Sequence, residues 1–344
     1  MASTQISLLR SGEESEWDGF VGEAPSATFF HLSGWKDVAE RAFGHRTFYL
    51  VARRGGRVTG VMPLTRIRSF LFGHSLISNA FCVHGGPLFE DENTRDRLLH
   101  EAIRIARETK ADGVESRSSH GAGDEWTARC GMYATFRRPI AATAEENLKM
   151  IPRKQRAMVR KGMANGLLAE TDDSAARLHH VYAESVRHLG TPVFPRRYFE
   201  LLKERFASAC DILVVTKDGR AVAGVMNFYF RDEVLPYYGG GTREARALAA
   251  NDFMYWEVMR RACETGRKAF DFGRSKIGTG AYDFKRNWGF SPTPLTYSYC
   301  RLGAREMGAL NPLNPKFSLA IKVWQRLPLP LTKVIGPAIV RSLG

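Results

Sequence analysis

A chain of 344 residues, 44% of them apolar, exceeds one typical domain and is too apolar for a disordered polymer, so two domains with sizeable cores are expected. The 50 basic residues outnumber the 36 acidic ones, and the net charge of +14 points to an anionic partner: nucleic acid, a phosphate-rich ligand or anionic lipid. The alternative is charge kept for solubility. The five cysteines form no CxxC pair and none lies beside a His at metal-ligand spacing, which predicts no metal and reduced thiols in a cytosolic protein. No apolar leader opens the chain and no stretch approaches the ~20 apolar residues of a membrane span, so a cytoplasmic location is expected.

In chain order, Trp35 and Phe43-Gly44-His45-Arg46 read as fold elements opening a first domain. Residues 48–62 (FYLVARRGGRVTGVM) form two apolar strands around Gly55-Gly56, which is hairpin chemistry. A strand ending Val83-His84-Gly85-Gly86 follows, then a helix over 93–109 capped by Asn93, and a short strand GVESRS at 113–118. The same order returns in the second half. Residues 211–226 (DILVVTKDGRAVAGVM) form a hairpin around Asp218-Gly219, and a strand reaches Tyr238-Gly239-Gly240-Gly241. A helix over 251–265 runs from Asn251 to a stop at Gly266, and a strand AFDFGRS ends at Ser275. WTARCGM at 126–132 and FKRNWGF at 284–290 give a third anchor, with Gly131 45 residues after Gly86 and Gly289 48 residues after Gly241. The predicted domains are 1–145 and 146–306, with a basic tail over 307–344.

This order resembles the acetyltransferase fold of the GNAT superfamily, and its duplication resembles the FemAB-like family. The stretches at 147–167, 270–290 and 326–344 are similar to the subgroup associated with the PEP-CTERM/exosortase system. The resemblance implies an α/β fold of two tandem GNAT-like (acyl-CoA N-acyltransferase) domains, each a mixed sheet flanked by helices. It also implies transfer of aminoacyl groups, typically from aminoacyl-tRNA, to cell-envelope precursors.

Acyl transfer to an amine requires loss of a proton, a stabilised oxyanion and two substrates in register. No GxSxG elbow and no recognisable nucleophilic Cys motif occurs, which favours direct transfer. The block 270–290 is the candidate site. Asp271 and Arg274 lie at a strand end, a turn with Gly278 and Gly280 exposes backbone donors, and Tyr282, Phe284 and Lys285 follow. Lys285 and Arg274 are placed to meet an oxyanion or a phosphate leaving group, and by resemblance Phe284-Lys285 matches the family's pair near the reacting ester. The alternative is that Arg274 pairs with Asp271 or Asp283 and pins the turn. Aligning Gly131 with Gly289 puts Thr127 opposite Lys285, and the first copy carries Ser119–Gly123 in place of the glycine turn, so the second copy is expected to hold the donor chemistry.

His84 and Tyr238 occupy matching places before the glycines and are candidate substrate-binding residues; for His84 a structural role is the alternative. No Q/R-x-x-G-x-G/A pyrophosphate turn follows either glycine cluster, which weakens a coenzyme A reading. Lys149, Arg153, Arg156 and Arg160 fall on one helical face, suited to a tRNA backbone or a diphosphate, or else to solvent. In the tail, Phe317, Ile321, Trp324 and Leu327 form a stripe beside Lys322 and Arg326, which suits either an anionic inner-membrane surface or packing on the domain body. The expectation is an aminoacyl or acyl transferase forming an amide on a lipid-linked or polysaccharide precursor, with no required cofactor and with aminoacyl-tRNA or an acyl-CoA as donor. The alternatives are a coenzyme-A-dependent N-acyltransferase on a sugar or amino-acid amine, and a non-catalytic envelope-assembly factor that binds anionic ligands.

Overall fold

The structure, a computed structural model, describes residues 3–69, 73–118, 123–303 and 315–344, the side chains of 315–318 excepted. The chain begins β1 (Gln5–Leu8), α1 (Glu14–Glu23), α2 (Gly34–Phe43), β2 (Arg46–Arg54), β3 (Arg57–Ser69), β4 (Gly73–Ile77), β5 (Leu88–Phe89), α3 (Glu92–Glu108) and β6 (Gly113–Ser116). Next come β7 (Trp126–Pro139), α4 (Ala144–Met150), α5 (Arg153–Ala164), β8 (Leu168–Thr171), α6 (Ala175–His188), α7 (Arg196–Phe206), β9 (Cys210–Lys217), β10 (Arg220–Phe230) and β11 (Glu233–Gly241). The remainder is α8 (Ala245–Leu248), α9 (Ala250–Glu264), β12 (Ala269–Lys276), α10 (Gly280–Asn287), β13 (Thr293–Arg301), α11 (Pro315–Arg326) and α12 (Leu329–Val340).

The chain divides into two compact units: 1–131 with 295–311 and 341–344, and 132–294 with 312–340. These units do not follow the expected halves 1–145 and 146–306. The reason is strand pairing. In the first unit the order is β1-β2-β3-β4-β6-β13, and β13 pairs antiparallel with β6 through Ser298–Ser116 and Cys300–Val114. In the second the order is β8-β9-β10-β11-β12-β7, and residues 133–139 of β7 pair antiparallel with β12. Each unit's last strand is therefore supplied by the half of the sequence that holds the other unit's strands.

Both hairpins form where their turns permit. Gly55 and Gly56 take φ of 56° and 82°, Asp218 and Gly219 take 50° and 76°, and these left-handed pairs close β2–β3 and β9–β10. In the first unit, Leu98, Leu99, Ala102 and Ile103 of α3 pack on Leu50, Met62, Leu76 and Val114 of the sheet. In the second, Met254, Val258 and Met259 of α9 join Val225, Val234 and Phe270 in a larger core. Against the other face of that sheet, Leu178 and Val181 of α6 close over Gly224, where there is little room for a side chain.

Several expected details differ. α3 is capped by Asp91, whose carboxylate accepts the Thr94 N–H at 2.8 Å, rather than by Asn93. α9 starts at Ala250 behind a left-handed Ala249, not at Asn251. The third anchor is not equivalent in the two copies: 126–132 lies in strand β7, whereas 284–287 closes helix α10. Thr127 is thus an exposed strand residue and no counterpart of Lys285. Lys149 sits in α4, separated from α5 by Ile151 and Pro152, so the four cations do not share one helix. Residues 119–122 of the first copy's turn lie outside the described residues.

The tail packs on the second unit. The Trp324 indole N–H donates to the Thr191 carbonyl at 3.2 Å, the Gln325 amide to His188 at 2.8 Å, and Arg187 to the Leu327 carbonyl at 2.9 Å. Ile321 lies against Gly190 and Gly336 against Val193. Lys316 and Phe317 are among the residues whose side chains are not described. No helix of the described residues is long and apolar enough to cross a membrane.

Candidate active site

The second unit contains an opening in its sheet. β11 and β12 run parallel and pair only at Glu233–Ala269 and Val234–Phe270, after which no further pairs form. Asp271 is the first residue beyond the last pair. β12 then bulges: its register against β7 shifts between Asp271 and Arg274, and Gly273 takes φ of +66°. The bulge turns successive carbonyls toward α10.

Lys285 of α10 meets them. Its ammonium donates to the carbonyls of Phe272 at 2.6 Å, Gly273 at 3.1 Å and Arg274 at 3.1 Å, which uses all three of its donors. The residue as a whole is half-buried, but its ammonium is enclosed. Burial pulls its pKa down to about 7; the Asp271 carboxylate opposes this and the Arg274 guanidinium adds to it. Asp271 moves the other way. Burial raises it to about 6, Glu233 adds to the rise, and the Gly273 N–H, Lys285 and Arg137 oppose it. Its Oδ1 accepts the Gly273 N–H at 2.7 Å and the Thr135 hydroxyl at 3.4 Å, while Oδ2 has no hydrogen-bond partner among the described residues. A carboxyl and an amine shifted toward each other across neutrality are equipped for proton transfer.

The surroundings are polar along one line of β7 and aromatic around α10. Tyr133 stacks under the Arg274 guanidinium at 4.5 Å, Thr135 bonds Asp271, and Arg137 is ion-paired with Glu233. Arg274 is therefore placed on a tyrosine ring, and Asp283 is ion-paired with Arg286 at 3.9 Å. The Phe136 ring lies 5.6 Å from the Lys285 ammonium and 5.2 Å from the Tyr282 ring. Phe284 packs among Tyr255, Phe272 and Trp288. The end of α10 is tied down by Asp252 of α9, which accepts the Trp288 indole N–H at 3.0 Å and also a bond from Gln155 of α5. Thr279 caps α10, and Gly278 before the cap and Gly280 at the first helical position face open space, as a ligand-approach turn requires.

The structure thus gathers Asp271, Arg274, Gly278, Gly280, Tyr282, Phe284 and Lys285. Other expected residues lie elsewhere. Tyr238 points to the opposite face of β11, where its hydroxyl meets that of Tyr198 at 2.7 Å within an aromatic cluster of α6 and α7. His84 belongs to the first unit, its ring 6.5 Å from Phe30 and close enough to help depress His31, whose pKa burial takes to about 3. On α5, Arg156 is spent on the carbonyls of Lys149 and Ile151, leaving Arg153 and Arg160 exposed with no partner among the described residues. Sequence reasoning missed Thr135, Arg137, Glu233 and the buried Ser275 hydroxyl, which has no hydrogen-bond partner among the described residues. The alternation of Tyr133, Thr135 and Arg137 was a signal for the first two of these, but nothing local indicated which strand β7 would join.

The three glycines that end β11 are packed on both faces of the strand. A side chain at Gly239 would strike the Tyr255 hydroxyl, one at Gly240 would strike Ser185, and one at Gly241 would strike Ala245 and Asn251. The space beside this backbone is filled by the chain's own residues. Among the described residues no three His, Cys, Asp or Glu side chains are placed to hold a metal ion.

With this geometry the comparisons with known proteins agree on the fold. Residues 147–286 match the family described as acetyltransferase (GNAT) domain. The crystal structure of FemX superposes with a TM-score of 0.69 at 15% identity, over 92% of this chain and 100% of that one. A tandem GNAT protein from the clavulanic acid biosynthesis pathway gives 0.56 at 12% identity, over 88% and 100%. The C-terminal domain of a putative lysylphosphatidylglycerol synthetase from Agrobacterium fabrum gives 0.55 at 16%, over 84% and 91%. No curated protein matches the chain. The fold is therefore a tandem GNAT fold, α/β, with mixed sheets flanked by helices.

Proposed function

We propose that the protein is an acyltransferase that forms an amide by direct transfer from an aminoacyl ester to an amine. The observation that carries this reading is the free Oδ2 of Asp271, on a carboxyl raised to about 6, beside Lys285 at the opening between β11 and β12. The acceptor nitrogen attacks the ester carbonyl, a C–N bond forms, and Asp271 takes the nitrogen's proton. Collapse of the tetrahedral intermediate breaks the C–O bond, and the proton passes to the leaving alkoxide. The Lys285 charge, held in a low-dielectric setting, favours the oxyanion through its field, and its three carbonyl bonds keep the bulge in place. It is a positioning and electrostatic residue, since all three donors are already used.

The lack of a Q/R-x-x-G-x-G/A turn after β11, where Thr242-Arg243-Glu244-Ala245-Arg246 follows instead, supports an aminoacyl-tRNA donor over an acyl-CoA. Arg153 and Arg160, exposed and unpaired on α5, suit a nucleic-acid backbone. The sequence's resemblance to the FemAB-like family supports an acceptor of the cell-envelope kind, lipid-linked or polysaccharide, and the stretches at 147–167, 270–290 and 326–344 favour one belonging to an exosortase-associated system. The experiment is parallel binding of the purified chain to aminoacyl-tRNA and to coenzyme A, followed by amide formation on amine acceptors. Retention of charged tRNA with amide product that Asp271→Asn abolishes is expected. Binding of coenzyme A alone moves the reading to the coenzyme-A-dependent N-acyltransferase, and product formation unaffected by Asp271→Asn removes the assigned base.

A further inference from the structure

The tail presents to solvent a face that the fold does not use. The sequence stripe of Ile321 and Trp324 is the one consumed by packing on the loop after α6, and Thr332, Gly336 and Val340 are the buried line of α12. On the opposite side of α11 stand Leu319 and Val323, 71% and 53% exposed. On the opposite side of α12 stand Leu331, Val334 and Ile335, with Val334 at 76%. These five are half of the ten large apolar side chains exposed on the described chain, gathered within 319–335. Lys322 and Arg326 project from the same exposed arc of α11, and neither has an ion-pair partner among the described residues. No Asp or Glu occurs from 316 to 344.

Exposed aliphatic side chains interleaved with unpaired cations, on short helices whose other faces are fixed to a folded body, match an anionic lipid surface. A soluble acidic protein would complement the cations but would leave Val334 and Leu319 without a dry pocket of its own in view. A second copy of this surface would bring Lys322 and Arg326 against like charges. We propose that the outer faces of α11 and α12 dock the protein peripherally on an anionic bilayer, with the aliphatic residues entering the headgroup layer and the cations among lipid phosphates. The docking face is the reverse of the stripe the sequence suggested.

The test is flotation of the full chain with vesicles of phosphatidylcholine alone and of phosphatidylcholine mixed with phosphatidylglycerol. Binding to the anionic vesicles that weakens with salt, and little binding to the neutral ones, is expected. Removing both cations in Lys322→Gln/Arg326→Gln should weaken binding about 25-fold, at about fivefold per cation near the surface. Val323→Asp/Val334→Asp should abolish it, and both variants should keep the parent melting temperature because the altered side chains are exposed. Absence of binding to anionic vesicles at low salt overturns the proposal, as does equal binding by either variant. Self-association without vesicles that is lost in Val323→Asp/Val334→Asp assigns the face to a second copy and overturns it as well.

Discussion

Asp271 and Lys285 make stability depend on pH in opposite directions. The folded state holds a proton on Asp271 between its ordinary value of 3.8 and about 6, where the unfolded chain has released it, so stability falls as pH rises through that window. The folded state has given up the Lys285 proton between about 7 and the ordinary 10.5, where the unfolded chain keeps it, so stability rises there with pH. Lys285→Met should be less stable than the parent at neutral pH for a separate reason: three carbonyls lose their hydrogen-bond donor. The gap should widen from about pH 7 toward the ordinary 10.5, as urea midpoints would record. This departs from the simple expectation for an oxyanion donor, which loses rate at constant melting temperature. In the kinetics, kcat/KM for amide formation should rise through about pH 6 as Asp271 ionises and fall through about pH 7 as Lys285 is neutralised. Asp271→Asn should lose the acid limb along with most of the rate, and a profile with that limb intact would remove Asp271 as base.

At the scale of elements, α5 and α9 meet at Gly162, where a side chain would stand 2.7 Å from the Phe253 Cβ and 3.1 Å from the Ala249 carbonyl. Gly162→Ala should cost about 1–3 kcal/mol by overpacking, and should slow catalysis too, because the same pair of helices holds Trp288 through Asp252 and Gln155. Thermal melts and initial rates measured on the same preparation would test both effects. The elements that were legible in the sequence are those with local causes. The hairpins announced themselves through Gly55-Gly56 and Asp218-Gly219, the stop of α9 through Gly266, and the candidate site through Asp271, Arg274 and the open glycines before Lys285. What failed depended on distant partners. WTARCGM and FKRNWGF share a spacing, but one is strand and the other helix, because the first runs into residues that pair with β12. The tail stripe with Trp324 was correctly apolar, yet which side of α11 the body would take was decided by Gly190 and Thr191. Tyr238 shares a sequence context with His84, but strand alternation turns it away from Lys285 into the cluster with Tyr198 and Phe199.

For the whole molecule, the strand exchange predicts how fragments behave. Residues 1–145 alone would leave β6 without β13, an unpaired edge in place of the bonds at Val114 and Ser116, and would carry the 133–139 stretch of β7 without β12. Residues 146–306 alone would leave β12 without that partner. Neither half should fold by itself, and circular dichroism with amide exchange on separately expressed halves would show little cooperative melting. If residues 1–145 melt cooperatively alone, the pairing of β13 with β6 is dispensable.

The pairing of β13 with β6 also sets an order of events during synthesis. The residues that close the first unit's sheet are Ser298–Arg301, so this unit stays incomplete until nearly the whole chain has left the ribosome. The strand that closes the second unit is already waiting, since 133–139 is made before any of β8 to β12. At ~5–20 residues per second the N-terminal unit waits on the order of ten to forty seconds with an open edge. The usual order, in which the N-terminal sheet closes first, is thereby reversed.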